Sequence, residues 1–130
     1  MAENRTRHEH ALPNHENAVI PREKLELYCL DPGHVSLVFG KSSGKDKARV
    51  FQAALGFVKA DWELLKNCIL EELPYQEALM RHEDEHGKRY NVNVPITGPN
   101  GHTVTVLTAW IIRPNTDDPF FVTARCLGGV

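Results

Sequence analysis

The sequence has little that would mark a membrane or secreted protein. No apolar run approaches the roughly 20 residues that a transmembrane helix needs, and the first residues, MAENRTRHEH, lack the apolar core of a signal peptide. The three cysteines, Cys29, Cys68 and Cys126, are odd in number and far apart, which favours reduced, mostly buried thiols over a disulfide framework. We therefore expect a protein that does not associate with membranes. It would be cytoplasmic, or exported without a cleaved signal peptide.

An excess of charge of either sign is also missing. The formal net charge is -2, so the sequence indicates no global basic field that would attract nucleic acid. Any site for a polyanion would have to be a local patch. The 130 residues suffice for one domain with its own core, and their 42% apolar and 25% charged content is typical of globular proteins.

The first half of the chain combines a polar segment with helical patterns. Residues 1–17 are polar and show no apolar periodicity, which predicts a flexible tail followed by a single α+β domain over residues 18–130. Pro21 fits the first turn of a short helix, a capping-box pattern predicts a second helix over 43–55, and Asp61 is a candidate cap for a third. The third helix carries an apolar stripe formed by Trp62, Leu65, Ile69 and Leu73.

After Pro74 the apolar period changes to two, the period of half-buried strands. The predicted strands are ALMRHE, KRYNVNVPIT, HTVTVLTAWIIRP and PFFVTARCL, and the turns DEHG, PNG and NTDDP separate them. This order predicts an α+β fold. Two to three N-terminal helices would pack on one face of a three- to four-stranded antiparallel β-meander.

The segment HEDEH, residues 82–86, matches the zinc-hydrolase pattern H-E-x-x-H. That chemistry needs a helix that presents both histidines on one face, whereas Gly87 and the charged neighbours favour a hairpin turn here. The third ligand of the extended zinc pattern does not follow in the sequence. We therefore expect a charged turn and no metal site.

The segment FGKSSGK is similar to the end of a phosphate-binding loop, but Val35 stands where that loop requires a glycine. A basic cluster nevertheless lies beside the predicted helix N-terminus, which can attract a phosphate. The cluster consists of Lys41, Lys45, Lys47 and Arg49. A solvated helix face is the alternative interpretation.

Strand alternation predicts a core and, opposite it, a polar face of the sheet. The predicted core consists of Trp62, Leu65, Ile69, Val92, Val104, Val106, Trp110 and Val122. The polar face gathers Arg89, Asn91, Asn93, Thr105, Arg113, Thr123 and Arg125, and no carboxylates. In the last strand, alternation places Phe120, Val122, Ala124 and Cys126 opposite Phe121, Thr123 and Arg125. Guanidinium, amide and hydroxyl donors suit a phosphodiester. An ordinary solvated face is the alternative.

The motifs AVIPREKL, GKDKARVFQAALGF, GKRYNV, GPNG, TAWII and PFFVTA follow one another along the chain. In this order the sequence resembles, over about residues 18–126, a family of small bacterial domains of unknown function. Members of that family occur alone and at the C-termini of polymorphic toxins. The succession of helices and then a meander also resembles the barnase–colicin–RelE class of RNases, in which RNA lies on the exposed sheet face. The segment from His34 to Lys45 departs from the family pattern by extra residues.

The resemblance implies a metal-independent, RNase-like toxin domain that acts on RNA phosphodiesters through the exposed sheet face and needs no cofactor. A base would deprotonate the 2′-hydroxyl and an acid would protonate the leaving oxygen. Histidine suits both roles, and the candidates are His34 and His102. The other predicted site residues are Lys47 and Thr123 for catalysis, and Lys45, Asn91, Asn93, Thr105, Arg113 and Arg125 for substrate binding. The alternative is a non-catalytic protein-binding or immunity-type module with a cognate toxin or immunity protein as its partner.

Overall fold

Four antiparallel strands joined in sequence order form the sheet of this protein. The computed structural model describes residues 5–30 and 43–127, apart from the side chains of residues 27, 28 and 43–47. The strands are β1 (Ala78–Asp84), β2 (Gly87–Thr97), β3 (Thr103–Ile112) and β4 (Phe120–Cys126), and each pairs with the next along the chain. The predicted α+β class and the antiparallel meander are therefore confirmed.

Two α-helices, one π-helix and three 3-10 turns (His15–Asn17, Lys59–Asp61 and Leu73–Tyr75) precede the sheet in the described residues. A π-helix spans Lys24–Cys29, α1 spans Ser43–Leu55 and α2 spans Trp62–Glu72. Helix α1 ends where Gly56 adopts a φ of 82°, a conformation that glycine tolerates without steric cost. None of the helices in the described part of the chain is long and apolar enough to cross a membrane.

The predicted capping role of Asp61 is wrong in its detail. The side chain of Asp61 makes no cap hydrogen bond to α2. Its Oδ2 instead accepts the backbone N–H of Val58 at 3.0 Å. The reason is that residues Lys59–Asp61 form a short 3-10 turn before α2. Asp61 is the last residue of this turn, and its carboxylate bonds to the backbone at the start of the turn instead of to α2.

The helices and one face of the sheet, the inner face, share a buried core. Inner-face residues of the core are Val92, Val94, Ile96, Val104, Val106, Thr108, Trp110, Phe121 and Ala124. The helices add buried residues that include Leu25, Phe51, Leu55, Leu65 and Ile69. Six of the eight predicted core residues are buried. The other two, Trp62 and Val122, are only partly buried, and the guanidinium of Arg22 lies 4.7 Å above the Trp62 ring.

A bulge in β4 reverses part of the predicted alternation. Ala109 pairs with Thr123, but the next residue, Trp110, pairs with Phe121, so Val122 is an extra residue. Phe121 therefore points to the inner face and is fully buried. The prediction that Phe121 shares a face of the sheet with Thr123 is therefore wrong. One extra residue reverses the alternation, so the side chains before the bulge point to the face opposite to the predicted one.

Residues that precede the helices also pack against the domain. Leu12 has no solvent exposure and belongs to the core cluster. The backbone N–H of His8 donates to Pro74 O at 2.8 Å, and that of Ala78 donates to His10 O at 2.9 Å. The described part of the expected tail thus contributes to the core. A single leucine among polar residues gives no periodicity from which this burial could be predicted.

Candidate nucleic-acid interface

The strand residues that point away from the core form the outer face of the sheet. They are Leu79, His82 and Asp84 in β1, Arg89, Asn91, Asn93, Pro95 and Thr97 in β2, Thr103, Thr105, Leu107, Ala109 and Ile111 in β3, and Phe120, Thr123 and Arg125 in β4. Asn91, Ala109 and Thr123 pair across three strands, so Asn91 and Thr123 lie two strand spacings, or about 10 Å, apart. Asn93, Leu107 and Arg125 form the adjacent row. The register therefore brings five predicted site residues onto one surface: Asn91, Asn93, Thr105, Thr123 and Arg125.

Exposure varies across the outer face. Asn93, Thr105 and Arg125 are exposed, whereas the residues nearer the middle are half-buried. Ile111 retains only 7% of its exposure. On β2, β3 and β4 the solvent-accessible part of this face is therefore mostly polar, whereas Leu79 on the edge strand β1 is an exposed apolar residue.

Two further arginines border the outer face. A bulge in β1 between Met80 and His82 leaves Arg81 as an extra residue. Its Nη1 lies 2.9 Å from the side-chain amide of Asn91, whose oxygen accepts this hydrogen bond in the orientation that also lets the amide nitrogen donate to Tyr90 O. Arg113 follows β3, and its guanidinium carbon lies 4.8 Å from the centre of the Phe120 ring. With Arg89 and Arg125, the face thus carries four guanidinium groups.

Two shallow depressions meet at Arg89. Arg81, Asn91 and Ala109 line the first depression together with Arg89. The second depression is lined by Glu85, His86, Arg89, Arg113 and Asn115, with Ile111 and Pro114. The predicted absence of carboxylates holds for β2, β3 and β4. On β1, however, Asp84 pairs with Gly87 and lies on the outer face, and Glu85 brings a second carboxylate to its border at the β1–β2 turn.

The predicted histidine His102 lies away from these depressions. It immediately precedes β3, whereas Arg113 follows that strand of ten residues, so a distance of about 33 Å separates the two positions. The backbone N–H of His102 donates to Asn100 Oδ1 at 2.9 Å, which makes it part of the β2–β3 turn. His34 lies outside the described residues. For Lys45 and Lys47 only their positions in the first turns of α1 are described.

The segment HEDEH forms the predicted hairpin turn. His82 lies in β1 and His86 immediately precedes β2. Asp84 Oδ1 accepts the backbone N–H of His86 at 2.9 Å, which is the main cause of the lowered pKa of the Asp84 carboxyl. Asp84 Oδ2 also lies 3.2 Å from His82 Nε2. Within residues 5–30 and 43–127, no group of three or more His, Cys, Asp or Glu residues could hold a metal ion.

The three cysteines form no disulfide. Cys29 is buried, and burial together with the neighbouring Cys29 raises the pKa of the Cys126 thiol to about 11. Burial also raises the pKa of Cys68. Because the thiolate is the reactive form, neither of these two groups is suited to covalent catalysis near neutral pH.

Sequence reasoning did not identify Arg81, His86 or Phe120 as part of this surface. Arg81 reaches Asn91 only because of the β1 bulge, for which the sequence carries no clear signal. His86 belongs to the HEDEH motif, for which the sequence predicts a charged turn, but the sequence does not indicate that it lies near Arg113. The proximity of those two residues depends on how the β1–β2 turn lies against β3.

One family model matches most of the chain. It carries the description "Domain of unknown function (DUF6883)" and covers residues 11–127. No curated protein and no solved structure matches the chain. The description of the matched family names no activity.

Proposed function

We propose that this chain, which belongs to the family of the domain of unknown function DUF6883, binds RNA on the outer face of its sheet. The expected membership in a family of unknown function is confirmed, and the polymorphic-toxin context stays a prediction. One observation carries the proposal: four guanidinium groups, those of Arg81, Arg89, Arg113 and Arg125, border a strand surface of amides and hydroxyls.

The residue types on this face match the chemistry of a nucleic-acid backbone. Arginine presents a planar fork of N–H donors that binds a phosphate through two parallel hydrogen bonds. Asn93 and Thr105 are exposed between the arginines and supply neutral donors and acceptors for phosphate and sugar oxygens. Contacts of this kind position a nucleic acid without selecting its sequence.

The proposal includes an arrangement in which the helices cover the inner face and leave the outer face to solvent. It is supported by the single core cluster, in which Leu25, Phe51 and Leu65 join the inner-face residues. The exposure of Asn93 and Arg125 on the opposite side supports it further. An uncovered polar sheet face is accessible to an extended polymer.

Single-stranded RNA fits this surface better than a duplex. Unpaired bases can stack on an aromatic ring or on an arginine plane, and Phe120 and Arg113 present both groups at one end of the face. A duplex keeps its base faces inside and would have only the charged groups to contact. Phosphate contacts would extend from Arg113 toward Arg125, along the direction of β3.

Binding should be measured with a labelled, 2′-O-methylated RNA of about 12 nucleotides, a length within the range that single-strand binding surfaces cover. We expect Arg89→Ala, Arg113→Ala and Arg125→Ala to weaken binding for all sequences alike. Each lost phosphate contact should also reduce the slope of log K against log salt concentration by about 0.7. Fluorescence anisotropy over a range of salt concentrations gives both quantities.

The matched control is Arg49→Ala, which removes the same charge from an exposed position on α1. We expect it to leave the salt slope unchanged, because α1 contributes its buried residues to the core rather than to the outer face. Wild-type protein that fails to bind at low salt would contradict the proposal. So would an Arg49→Ala variant that weakens binding as much as Arg125→Ala does.

A protein-binding or immunity-type module is the second candidate function. Leu79 and Met80, which are 52% and 50% exposed on the edge strand β1, favour it. An exposed edge can pair with a strand of another protein. However, the bulge at Arg81 interrupts this edge, and bulges are a common means of blocking such pairing. Absence of RNA binding in the anisotropy experiment would leave this module as the better proposal.

A further inference from the structure

The β1–β2 turn lies directly against the end of β3. Gly87 has a φ of 129°, and a Cβ built on it would clash with the carbonyl oxygen of Ile112 and lie 2.9 Å from the Cα of Arg113. Only glycine permits so close an approach of the two backbones. The turn residues before Gly87 are consequently held beside the backbone of Arg113.

Hydrogen bonds fix the backbone of this turn while two of its side chains remain accessible. Asp84 Oδ1 accepts the backbone N–H of His86 at 2.9 Å. The side chains of Glu85 and His86 retain 86% and 69% of their exposure, and His86 Nε2 lies 3.8 Å from Glu85 Oε1. A carboxylate and an imidazole thus stand side by side on a turn with a defined backbone conformation.

Both side chains line the same depression as Arg89 and Arg113. We name these four residues the turn site. The site combines a carboxylate that can accept a proton, an imidazole that can donate one, and two guanidinium cations. Cleavage of a phosphodiester by an internal hydroxyl requires these three components, because charge builds up on the phosphoryl oxygens as protons move.

We propose that the turn site cleaves single-stranded RNA by transfer of the phosphoryl group to the adjacent 2′-hydroxyl. This inference rests on the proposed RNA-binding function and assigns the chemistry to Glu85 and His86 instead of to His34 or His102. Arg89 and Arg113 hold the scissile phosphate, and the outer face holds the rest of the strand.

In this step the Glu85 carboxylate accepts the proton of the 2′-hydroxyl. The 2′-oxygen forms a bond to phosphorus, and the bond between phosphorus and the 5′-oxygen breaks. The protonated His86 imidazole donates a proton to the departing 5′-oxygen. The products are one fragment with a 2′,3′-cyclic phosphate and one with a 5′-hydroxyl, and proton exchange with solvent restores both side chains.

The test compares cleavage with binding in the full chain. Unmodified RNA should yield fragments that end in a 2′,3′-cyclic phosphate, identified by mass spectrometry, and a single 2′-deoxy substitution should block cleavage at that position. We expect His86→Ala and Glu85→Gln to lower the cleavage rate by about 100-fold or more. Binding of the 2′-O-methylated RNA should stay close to that of the wild type. The matched control is His102→Ala, which removes an exposed histidine at the other end of β3. This variant should retain full activity.

Each outcome bears on a different part of the proposal. Wild-type protein that binds methylated RNA but forms no cyclic phosphate overturns the turn site and leaves the binding function intact. Wild-type protein that binds no RNA overturns both proposals. Cleavage that survives His86→Ala and Glu85→Gln, or that is lost in His102→Ala, overturns the assignment of the reaction to Glu85 and His86.

Discussion

At the scale of single residues, the hydroxyl of Thr108 connects two strands inside the core. Its Oγ1 donates to the carbonyl oxygen of Val92 at 2.8 Å and accepts the indole N–H of Trp110 at 2.8 Å. Trp110 is 1% exposed and meets Phe121 edge to face, with ring centroids 5.4 Å apart. A buried indole N–H needs such an acceptor, so Thr108 makes the burial of the largest core side chain possible.

We expect Thr108→Val to lower the free energy of unfolding by about 1–3 kcal/mol, the usual cost of a buried donor left without an acceptor. Valine keeps the shape of threonine, so the lost hydroxyl is the main change. Urea denaturation of the variant measures this cost. Thr105→Val, at an exposed position of the same strand, serves as the control and should change stability by no more than about 0.5 kcal/mol. Equal effects of the two substitutions would contradict the proposed role of Thr108.

At the scale of elements, the GPNG turn between β2 and β3 holds the end of α1. The backbone N–H of Asn100 donates to Leu55 O at 3.2 Å, and its side-chain amide donates to Ala54 O at 3.3 Å. These carbonyls belong to the last turn of the helix, where no intrahelical donor is available. A Cβ on Gly98 would lie 2.5 Å from the Cβ of Leu55. The conformation of GPNG, one of the motifs that carry the family resemblance, is therefore explained by packing.

Two glycines of this turn provide a matched pair for a stability measurement. Gly98→Ala introduces a clash with α1 and should cost more than about 2 kcal/mol, as overpacking of a close contact does. Gly101 has a φ of 85° but no atom within 4 Å of a built Cβ, so Gly101→Ala should cost only about 1 kcal/mol of backbone strain. Thermal or urea denaturation of both variants gives the comparison. A larger cost at Gly101 than at Gly98 would show that turn geometry, not the contact with α1, determines the stability.

The elements that could be predicted from the sequence are those with an unbroken pattern. Alternation and turn residues predicted the four strands, and the stripe through Leu65 and Ile69 predicted α2. The side of the sheet to which Phe121 points could not be predicted, because a bulge adds one residue without a distinctive sequence. For the same reason Arg81 was missed, while Asn91 and Arg125 lie in regular segments and were assigned to the outer face.

At the scale of the whole molecule, a net charge of -2 hides a strongly uneven distribution of charge. On β2, β3 and β4 the outer face carries Arg89 and Arg125 and no acidic group, whereas Asp84 and Glu85 lie together at one end of the face. A local field of this kind attracts a polyanion in spite of the overall balance. The turn site likewise exists only in the folded protein. The close approach of Gly87 to the end of β3 places residues 85 and 86 beside Arg113.

Amide chemical-shift mapping locates bound RNA residue by residue and can therefore show whether it lies on the outer face. Uniformly 15N-labelled protein would be titrated with 2′-O-methylated single-stranded RNA at low salt. We expect the largest shifts at residues of the outer face and the turn site, from Asn91 and Asn93 to Arg113 and Arg125, and little change in α2. Shifts concentrated around Lys45 and Lys47 at the start of α1, or no shifts at saturating RNA, would contradict the proposal that RNA binds on the outer face.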